Sequence, residues 1–268
     1  MTYYITIPPP KHLSKYVRFY WVLESEASKE KPYIHRSMAD GCTELLFHYK
    51  GVFEEIKKIH CKPSFISGIH SHTIEYRTFR IHQNFGIFGV YLYPYALPRI
   101  FRHSATEFTN LMPDIESVLG KEGKNLEEKM VLALNNQERY MTISNYITNK
   151  ININRRSIHP AEEAVYHVVN SQESSKISRL SNQYNLSERQ FERKFKEFSG
   201  FPPKTYMRIA RFSKACNFYG EKNKNLTDIA FQCGYYDQSH FIKDFKTFSG
   251  YHPSTYFSGE APGIEWRQ

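Results

Sequence analysis

Two stretches fifty residues apart decide how this chain folds: Ser187-Glu-Arg-Gln-Phe-Glu-Arg-Lys-Phe-Lys-Glu-Phe-Ser-Gly-Phe-Pro-Pro-Lys-Thr-Tyr206 and Asp237-Gln-Ser-His-Phe-Ile-Lys-Asp-Phe-Lys-Thr-Phe-Ser-Gly-Tyr-His-Pro-Ser-Thr-Tyr256. Phe191 and Phe241, Phe195 and Phe245, Phe198 and Phe248, Gly200 and Gly250, and Pro203 and Pro253 coincide, as do Thr205-Tyr206 and Thr255-Tyr256. The preceding segments match as well, with one extra residue in the second turn: Ile177–Asn185 lies over Leu226–Gly234. Self-similarity at a fixed period marks a duplicated supersecondary unit.

Each copy has a definite shape. A short helix ends at Asn185 or Gly234, residues that tolerate the left-handed backbone of a helix C-terminus. Ser187 or Asp237 then caps a second helix through a side-chain oxygen. The phenylalanines of that helix fall at i, i+4 and i+7, which is one face of a 3.6-residue repeat, and they read as core. Gly200 and Gly250 end it. Two short helices joined by a tight turn make a helix-turn-helix. Lys204–Tyr219 contains no Gly or Pro and reads as one connecting helix, roughly 24 Å long at 1.5 Å per residue.

The informative residues lie opposite the phenylalanines. In the first copy they are Arg189, Glu192, Arg193 and Lys196. In the second they are Ser239, Ile242, Lys243 and Lys246, flanked by Gln238 and His240. A basic or polar helix face next to a tight turn suits the major groove of a duplex. Two such faces on a stiff connector suit successive grooves, about 34 Å apart. Ile242 is expected to stand exposed there, with a thymine methyl as its natural partner.

Charge agrees with this placement. The 268 residues hold 36 Lys+Arg and 27 Asp+Glu, a formal net charge of +9. Lys176–Lys246 alone carries 14 Lys/Arg against 7 Asp/Glu, so most of the excess sits in the duplicated region, as a polyanion partner requires.

At these residues the sequence resembles the AraC/XylS family of bacterial transcription regulators. The resemblance is carried by Leu226-Thr-Asp-Ile-Ala-Phe-Gln-Cys-Gly-Tyr, Asp237-Gln-Ser-His-Phe-Ile-Lys-Asp-Phe-Lys, Gly250, Pro253 and Tyr256, and it covers about residues 160–258. It implies a DNA-binding domain of seven helices with two helix-turn-helix units on a long connecting helix. It also implies that Arg189, Glu192, Arg193, Gln238, Ser239, Ile242 and Lys243 face base edges. Ser187, Lys196, Asp237, His240 and Lys246 are then assigned to phosphates, through side chains or helix N-termini. The family often has Arg where this chain has Lys243, and Lys cannot make the same planar two-point contact to guanine.

The first 110 residues have a different texture. Tyr3–Ile7, Tyr16–Leu23, Thr43–Tyr49, Ile74–Phe79 and Phe85–Tyr93 are short runs rich in aromatic and β-branched residues, punctuated by Pro8-Pro9-Pro10, Asp40-Gly41 and Lys50-Gly51. They predict an antiparallel sandwich or barrel. Ile115–Leu119, Leu126–Asn135 and Glu138–Thr148 read as helices. The expected architecture is therefore α+β in two domains: a β-rich regulatory domain over 1–110, a helical dimerisation or connecting segment over 111–150, a linker over 151–159, the double helix-turn-helix domain over 160–258, and a tail over 259–268. Asp40–Phe47, Phe88–Pro94 and Arg102–Thr109 resemble a β-rich domain that serves effector sensing or dimerisation in some family members.

Other classes find less support. No run approaches 18 consecutive apolar residues, so a membrane-spanning helix is not expected. Met1–Pro10 shows no basic region followed by an apolar core, so no secretory signal is read. Cys42, Cys61, Cys216 and Cys233 are scattered, as in reduced cytoplasmic proteins. His70 and His72 have the spacing of a ligand pair on a strand, but no carboxylate stands at a telling distance. With His60 and His82 they are expected to be neutral polar residues on the surface, and no metal or cofactor is assigned. No glycine-rich phosphate loop, nucleophile elbow or HExxH motif appears, so no catalytic residue is assigned. The favoured reading is a sequence-specific DNA-binding transcription regulator. The resemblance implies double-stranded DNA as its partner and gives it an activator role, with a small-molecule effector, RNA polymerase and a second copy of the chain as further partners. The alternative is a metal- or ligand-processing β-barrel enzyme with an appended DNA-docking helical domain.

Overall fold

The computed structural model describes residues 2–57, 61–154, 159–171, 177–221 and 224–262. Nine strands come first: β1 (Tyr3–Ile7), β2 (Val17–Ser25), β3 (Tyr33–Ser37), β4 (Thr43–Lys50), β5 (Glu54–Ile56), β6 (Cys61–Pro63), β7 (Ser67–His70), β8 (Arg77–Ile81) and β9 (Phe85–Leu92). They form two antiparallel sheets, one in the order β1-β2-β9-β4-β7 and one in the order β3-β8-β5-β6. Side-chain alternation sorts β2 between two cores. Trp21 and Leu23 face the second sheet with Phe53, Phe79, Ile81, Phe85 and Ile87, while Val17, Tyr20 and Val22 face the other way. Val17 and Tyr20 share a side although three residues apart, because the register of β2 on β9 breaks between Val17 and Phe19. Gly89, opposite Trp21, lies so close under the indole that a Cβ there has no room.

Four helices follow: α1 (Leu97–Ile100), α2 (Ile115–Leu119), α3 (Lys121–Leu132) and α4 (Asn136–Ile153). Leu126 and Met130 of α3 and Ile143 and Ile147 of α4 pack on the outer side of the five-stranded sheet with Tyr20, Val22, Phe47 and Val90. The 111–150 segment therefore buries these residues on its own domain, while Leu132, Leu134 and Met141 of the same stretch stay exposed. Seven further helices complete the described chain: α5 (Pro160–Ser171), α6 (Ile177–Gln183), α7 (Glu188–Ser199), α8 (Pro203–Cys216), α9 (Leu226–Gln232), α10 (Gln238–Ser249) and α11 (Pro253–Phe257).

The two-domain α+β architecture is present as expected, with local differences. The strand expected from Ile74 starts at Arg77, while β3, β5, β6 and β7 are too short or too polar to stand out in sequence. α4 runs on to Ile153 and takes the first residues of the expected linker, whose positions 155–158 lie outside the described residues. The connecting helix stops at Cys216, so it is about 21 Å long rather than about 24 Å. The expected tail is partly core, since Ala261 is buried and Pro262 accepts a hydrogen bond from the Tyr251 hydroxyl. Residues 263–268 and His60 lie outside the described residues.

The β-rich half and the helical half meet through buried polar and aromatic contacts. Arg99 of α1 makes a two-point ion pair with Glu162 of α5, at 2.8 and 3.1 Å, with both side chains almost fully buried. The Ala39 N–H donates to the Phe248 carbonyl at 2.9 Å. The hydroxyls of Ser104 and Thr109 donate to the carbonyls of Glu197 and Gly200. His72 sits edge-on to Phe201 and against Gly200, while Tyr76 lies against Gly250. Arg36 stacks on Tyr251 and Tyr76, at 4.0 and 4.8 Å.

The expectation of surface histidines is overturned. His70 and His72 are both buried and serve different neighbours. His70 packs edge-on to Phe79, whereas His72 is held by the hydroxyls of Thr43, Ser71 and Thr109. Burial depresses the pKa of His35 to about 4, of His70 to about 3 and of His72 to about 4, against an ordinary 6.5. The unfolded chain therefore binds more protons than the folded one between an ordinary 6.5 and those values, and acid favours unfolding in that window. The midpoint of urea unfolding is expected to fall as the pH drops from about 6.5 towards about 4, and His72→Gln should flatten that fall. A midpoint unchanged across this range would contradict the burial of the three rings.

Candidate nucleic-acid interface

The helix-turn-helix units are α6–α7 and α9–α10. The first turn places Asn185 at φ 53°, and the second places Gly234 at φ 78°. Both second helices begin with a side-chain cap. The Ser187 hydroxyl oxygen accepts from the Gln190 N–H, and the Gln190 side chain accepts from the Ser187 N–H in return. The Asp237 carboxylate accepts from the His240 N–H at 2.8 Å. Both helices end on a left-handed glycine, Gly200 at φ 81° and Gly250 at φ 74°.

One face of each helix is fixed by packing. Phe191, Phe195 and Phe198, and likewise Phe241, Phe245 and Phe248, are fully or almost fully buried in a single core. α8 is the shared wall of that core. Its Tyr206 packs edge-on to Phe195, with ring centroids 5.7 Å apart, and its Phe212 packs on Phe245 and Phe248 at 5.1 and 5.5 Å. A polar clamp adds direction. Arg208 of α8 donates from Nη2 to Asp244 Oδ1 of α10 at 2.6 Å and from Nε to both carboxylate oxygens at 3.2 and 3.3 Å. This pairing holds the Arg208 guanidinium charged beyond its usual range, mainly through the hydrogen bonds to Asp244, and Asp244 is nearly buried. Neither residue was singled out in the sequence. The signal was present: Asp244 lies within the Phe241–Phe245–Phe248 stripe, and an acid on an apolar face needs a cation.

The opposite faces are open. Arg189, Glu192, Arg193 and Lys196 are exposed along α7, and Gln238, Ser239, His240, Lys243 and Lys246 are exposed along α10. The side chains of Arg189, Arg193, Lys196, Lys243 and Lys246 have no acceptor among the described residues. By contrast, Lys194 pairs with Glu197 at 2.8 Å, and the Gln238 side-chain oxygen accepts from the Thr227 hydroxyl at 3.2 Å. Ile242 differs from expectation. It is half-buried and packs against the domain core, so it needs no outside apolar partner. Asp237 and Ser187 commit their side-chain oxygens to the caps, and the Asp237 carboxylate also lies 3.2 Å from His240 Nδ1. A carboxylate cannot attract a phosphate, so the contribution of these two residues is the exposed N-terminus that they organise.

Among the described residues, no group of three His, Cys, Asp or Glu is placed to hold a metal, and no helix is long and apolar enough to cross a membrane. Of the four cysteines, Cys42, Cys216 and Cys233 are buried and Cys61 is exposed, all as free thiols. Burial pushes the Cys42 and Cys233 thiols upward, away from thiolate reactivity.

Comparison with known proteins matches parts of the two halves to two different families. Residues 180–259 match a family described as a helix-turn-helix domain. Residues 5–113 match a family described only as a domain of unknown function, DUF6597. The HTH-type transcriptional activator RhaS of Klebsiella pneumoniae (strain 342) is 36% identical over 62 residues, 23% of this chain and 22% of that protein. Its counterpart in Escherichia coli (strain K12 / DH10B) is 34% identical over the same length. The matched region thus spans about a fifth of these relatives. Among solved structures, ToxT from Vibrio cholerae O395 aligns over 89% of this chain and 97% of its own, at 14% identity and a TM-score of 0.46. The C-terminal domain of the response regulator yesN from Fusobacterium nucleatum covers 36% of this chain and 97% of its own, at 26% identity and a TM-score of 0.33.

The fold and the paired open faces define a two-domain helix-turn-helix protein, with a β-rich domain ahead of a duplicated reading unit. Residues 180–259 carry a helix-turn-helix domain, part of which is similar to the RhaS activators.

The Arg208–Asp244 clamp gives a direct test of how α10 is held. Asp244→Ala should lower the unfolding free energy by about 2 kcal/mol, because it removes charge-assisted hydrogen bonds at a nearly buried site. Urea denaturation would measure this, and an unchanged midpoint would show that the clamp contributes nothing to stability.

Proposed function

We propose that this chain is a sequence-specific DNA-binding transcription regulator whose two reading helices, α7 and α10, enter successive major grooves. The observation that carries the reading is the pair of exposed cationic faces without internal acceptors, each on the second helix of a helix-turn-helix and each bolted to α8. A folded protein gains little by leaving such faces unpaired, whereas DNA supplies a regular array of anionic acceptors. The RhaS proteins that resemble part of the chain are transcriptional activators by name, which supports an activator role here.

Roles follow from side-chain chemistry. Arg189 and Arg193 read guanine edges by two-point contacts, and Glu192 accepts from a cytosine amino group. Gln238, Ser239 and Lys243 form the second reading surface. Lys243 makes a single-point contact, so that surface depends more on phosphate and shape. Lys196, Lys246 and His240 grip phosphates, helped by the N-termini that Ser187 and Asp237 cap. Because the rear of α10 already holds Ile242, base reading by that residue is not part of the proposal. The β-rich domain acts as the sensor of a small-molecule effector, and none of the assigned roles is catalytic.

Selection of binding sites from random duplex DNA at one fixed salt concentration tests the reading, which fails if no motif is enriched. On the selected site, Arg193→Ala should cost roughly 1–3 kcal/mol and relax preference at one base position. A uniform loss on every sequence would remove its base-reading role. Lys196→Ala should instead weaken binding to all sequences alike and reduce the salt slope by about one. A sequence-dependent loss there would reverse the assignment.

A further inference from the structure

Between the inner faces of the β-domain and the connecting helix lies a cavity of about 250 Å³, lined by strands of both sheets, by Phe212, Ser213 and Cys216 of α8, and by Asn217 just after it. It has room for roughly a dozen non-hydrogen atoms. Much of its wall is aromatic: Tyr4, Phe19, Trp21, Tyr91 and Phe212. The wall also holds a carboxyl group in an unusual situation. Glu44 of β4 faces the cavity, and its side chain has no hydrogen-bond donor among the described residues. Burial, followed by the nearby charge of Asp40, raises its pKa well above the usual carboxylate range, and no cation offsets either effect.

Of the cations that also line the cavity, none is paired with Glu44. Arg18 is held beside Cys42 and Asp40 and lies over the rings of Phe19 and Tyr91, 5.9 and 5.8 Å from their centroids. Arg36 is stacked on Tyr251 and Tyr76. His35 is kept neutral by burial. Glu44 is thus a carboxyl group with no cation paired to it, surrounded by aromatic rings. Such a site suits an organic cation, because ring faces and a carboxylate attract the same charge.

We propose that this cavity binds a small ring-bearing amine, with its ammonium group at Glu44 and its ring among Trp21, Phe19 and Tyr91. The proposal rests on reading the β-domain as a sensor and supplies the chemical class that it senses. The occupant also touches Ser213 and Cys216 of α8, the helix on which both reading helices are mounted. Ligand binding and the placement of α7 and α10 therefore share one element, and any coupling between amine and DNA is reciprocal in their affinities.

The competing chemistry is an anion at Arg36, whose Nε is buried without an acceptor. Titration calorimetry of the full chain, without DNA, separates the two with three probes of one shape: tryptamine, neutral tryptophol and anionic indole-3-acetate. Tryptamine is expected to bind saturably and at least about tenfold more tightly than either analogue, and Glu44→Gln should remove about tenfold or more of its affinity while leaving tryptophol unaffected. Circular dichroism and thermal melting check that the variant folds. If it does not, Ser213→Trp, which fills the α8 side of the cavity, must lose tryptamine by the same margin. Preference for indole-3-acetate, unchanged tryptamine binding in Glu44→Gln, or no tryptamine binding at all would each overturn the proposal. DNA binding is not an arm of this measurement, so its failure leaves the DNA-reading proposal standing.

Discussion

Everything distinctive in the helical half depends on a shared wall. A helix of three to four turns with a phenylalanine stripe is not stable alone in water and must bury that stripe against something. α7 and α10 bury theirs in one core built around α8, through Tyr206 on one side and Phe212 on the other. Each helix is thereby fixed in rotation about its own axis, and its opposite face is fixed outward. The Arg208–Asp244 clamp adds a directional contact for α10 that has no equivalent on α7, where position 194 is a lysine paired with Glu197 within the same helix. The two reading helices are duplicates in pattern but are not anchored in the same way.

The glycines that terminate these helices serve two purposes. Gly200 and Gly250 adopt a left-handed backbone that L side chains rarely tolerate. They are also places where the β-rich half presses close, His72 at the first and Tyr76 at the second. A side chain at either glycine meets both backbone strain and a ring from the other domain. With the Arg99–Glu162 pair and the hydrogen bonds from Ala39, Ser104 and Thr109, this makes the junction a built interface. A change in the β-domain has direct mechanical access to the ends of both reading helices.

Polar groups inside the β-domain have contrasting fates. Glu24 accepts a short hydrogen bond from the Tyr49 hydroxyl, and Arg139 stacks on the same tyrosine ring while donating to the carbonyls of Met130 and Ala133. Those groups are spent on structure. Glu44 is not, and it lies where the sheet meets α8. Glu44 has no hydrogen-bond partner among the described residues, and its surroundings hold its carboxyl above the usual range.

Much of the reading surface was legible in the sequence because it depends on local rules. Caps at Ser187 and Asp237, phenylalanine spacing and terminal glycines are set by helix geometry, and the fifty-residue repeat presents each of them twice. The same rules made β1, β2, β4 and β9 visible but hid β3, β5, β6 and β7, whose shorter or more polar runs become strands only when a neighbour supplies hydrogen bonds. Ile242 and Asp244 show where local pattern stops. Which side of α10 each one favours depends on what α8 and the domain core offer, and those surfaces come from remote parts of the chain. The sequence by itself determined the duplicated unit, its basic faces and the order of the two domains. Only the tertiary structure decided that the histidines are buried, that the helices after the strands belong to the sheet, and that a carboxyl group faces a cavity closed by the connecting helix, because burial and pairing are properties of surfaces that folding brings together.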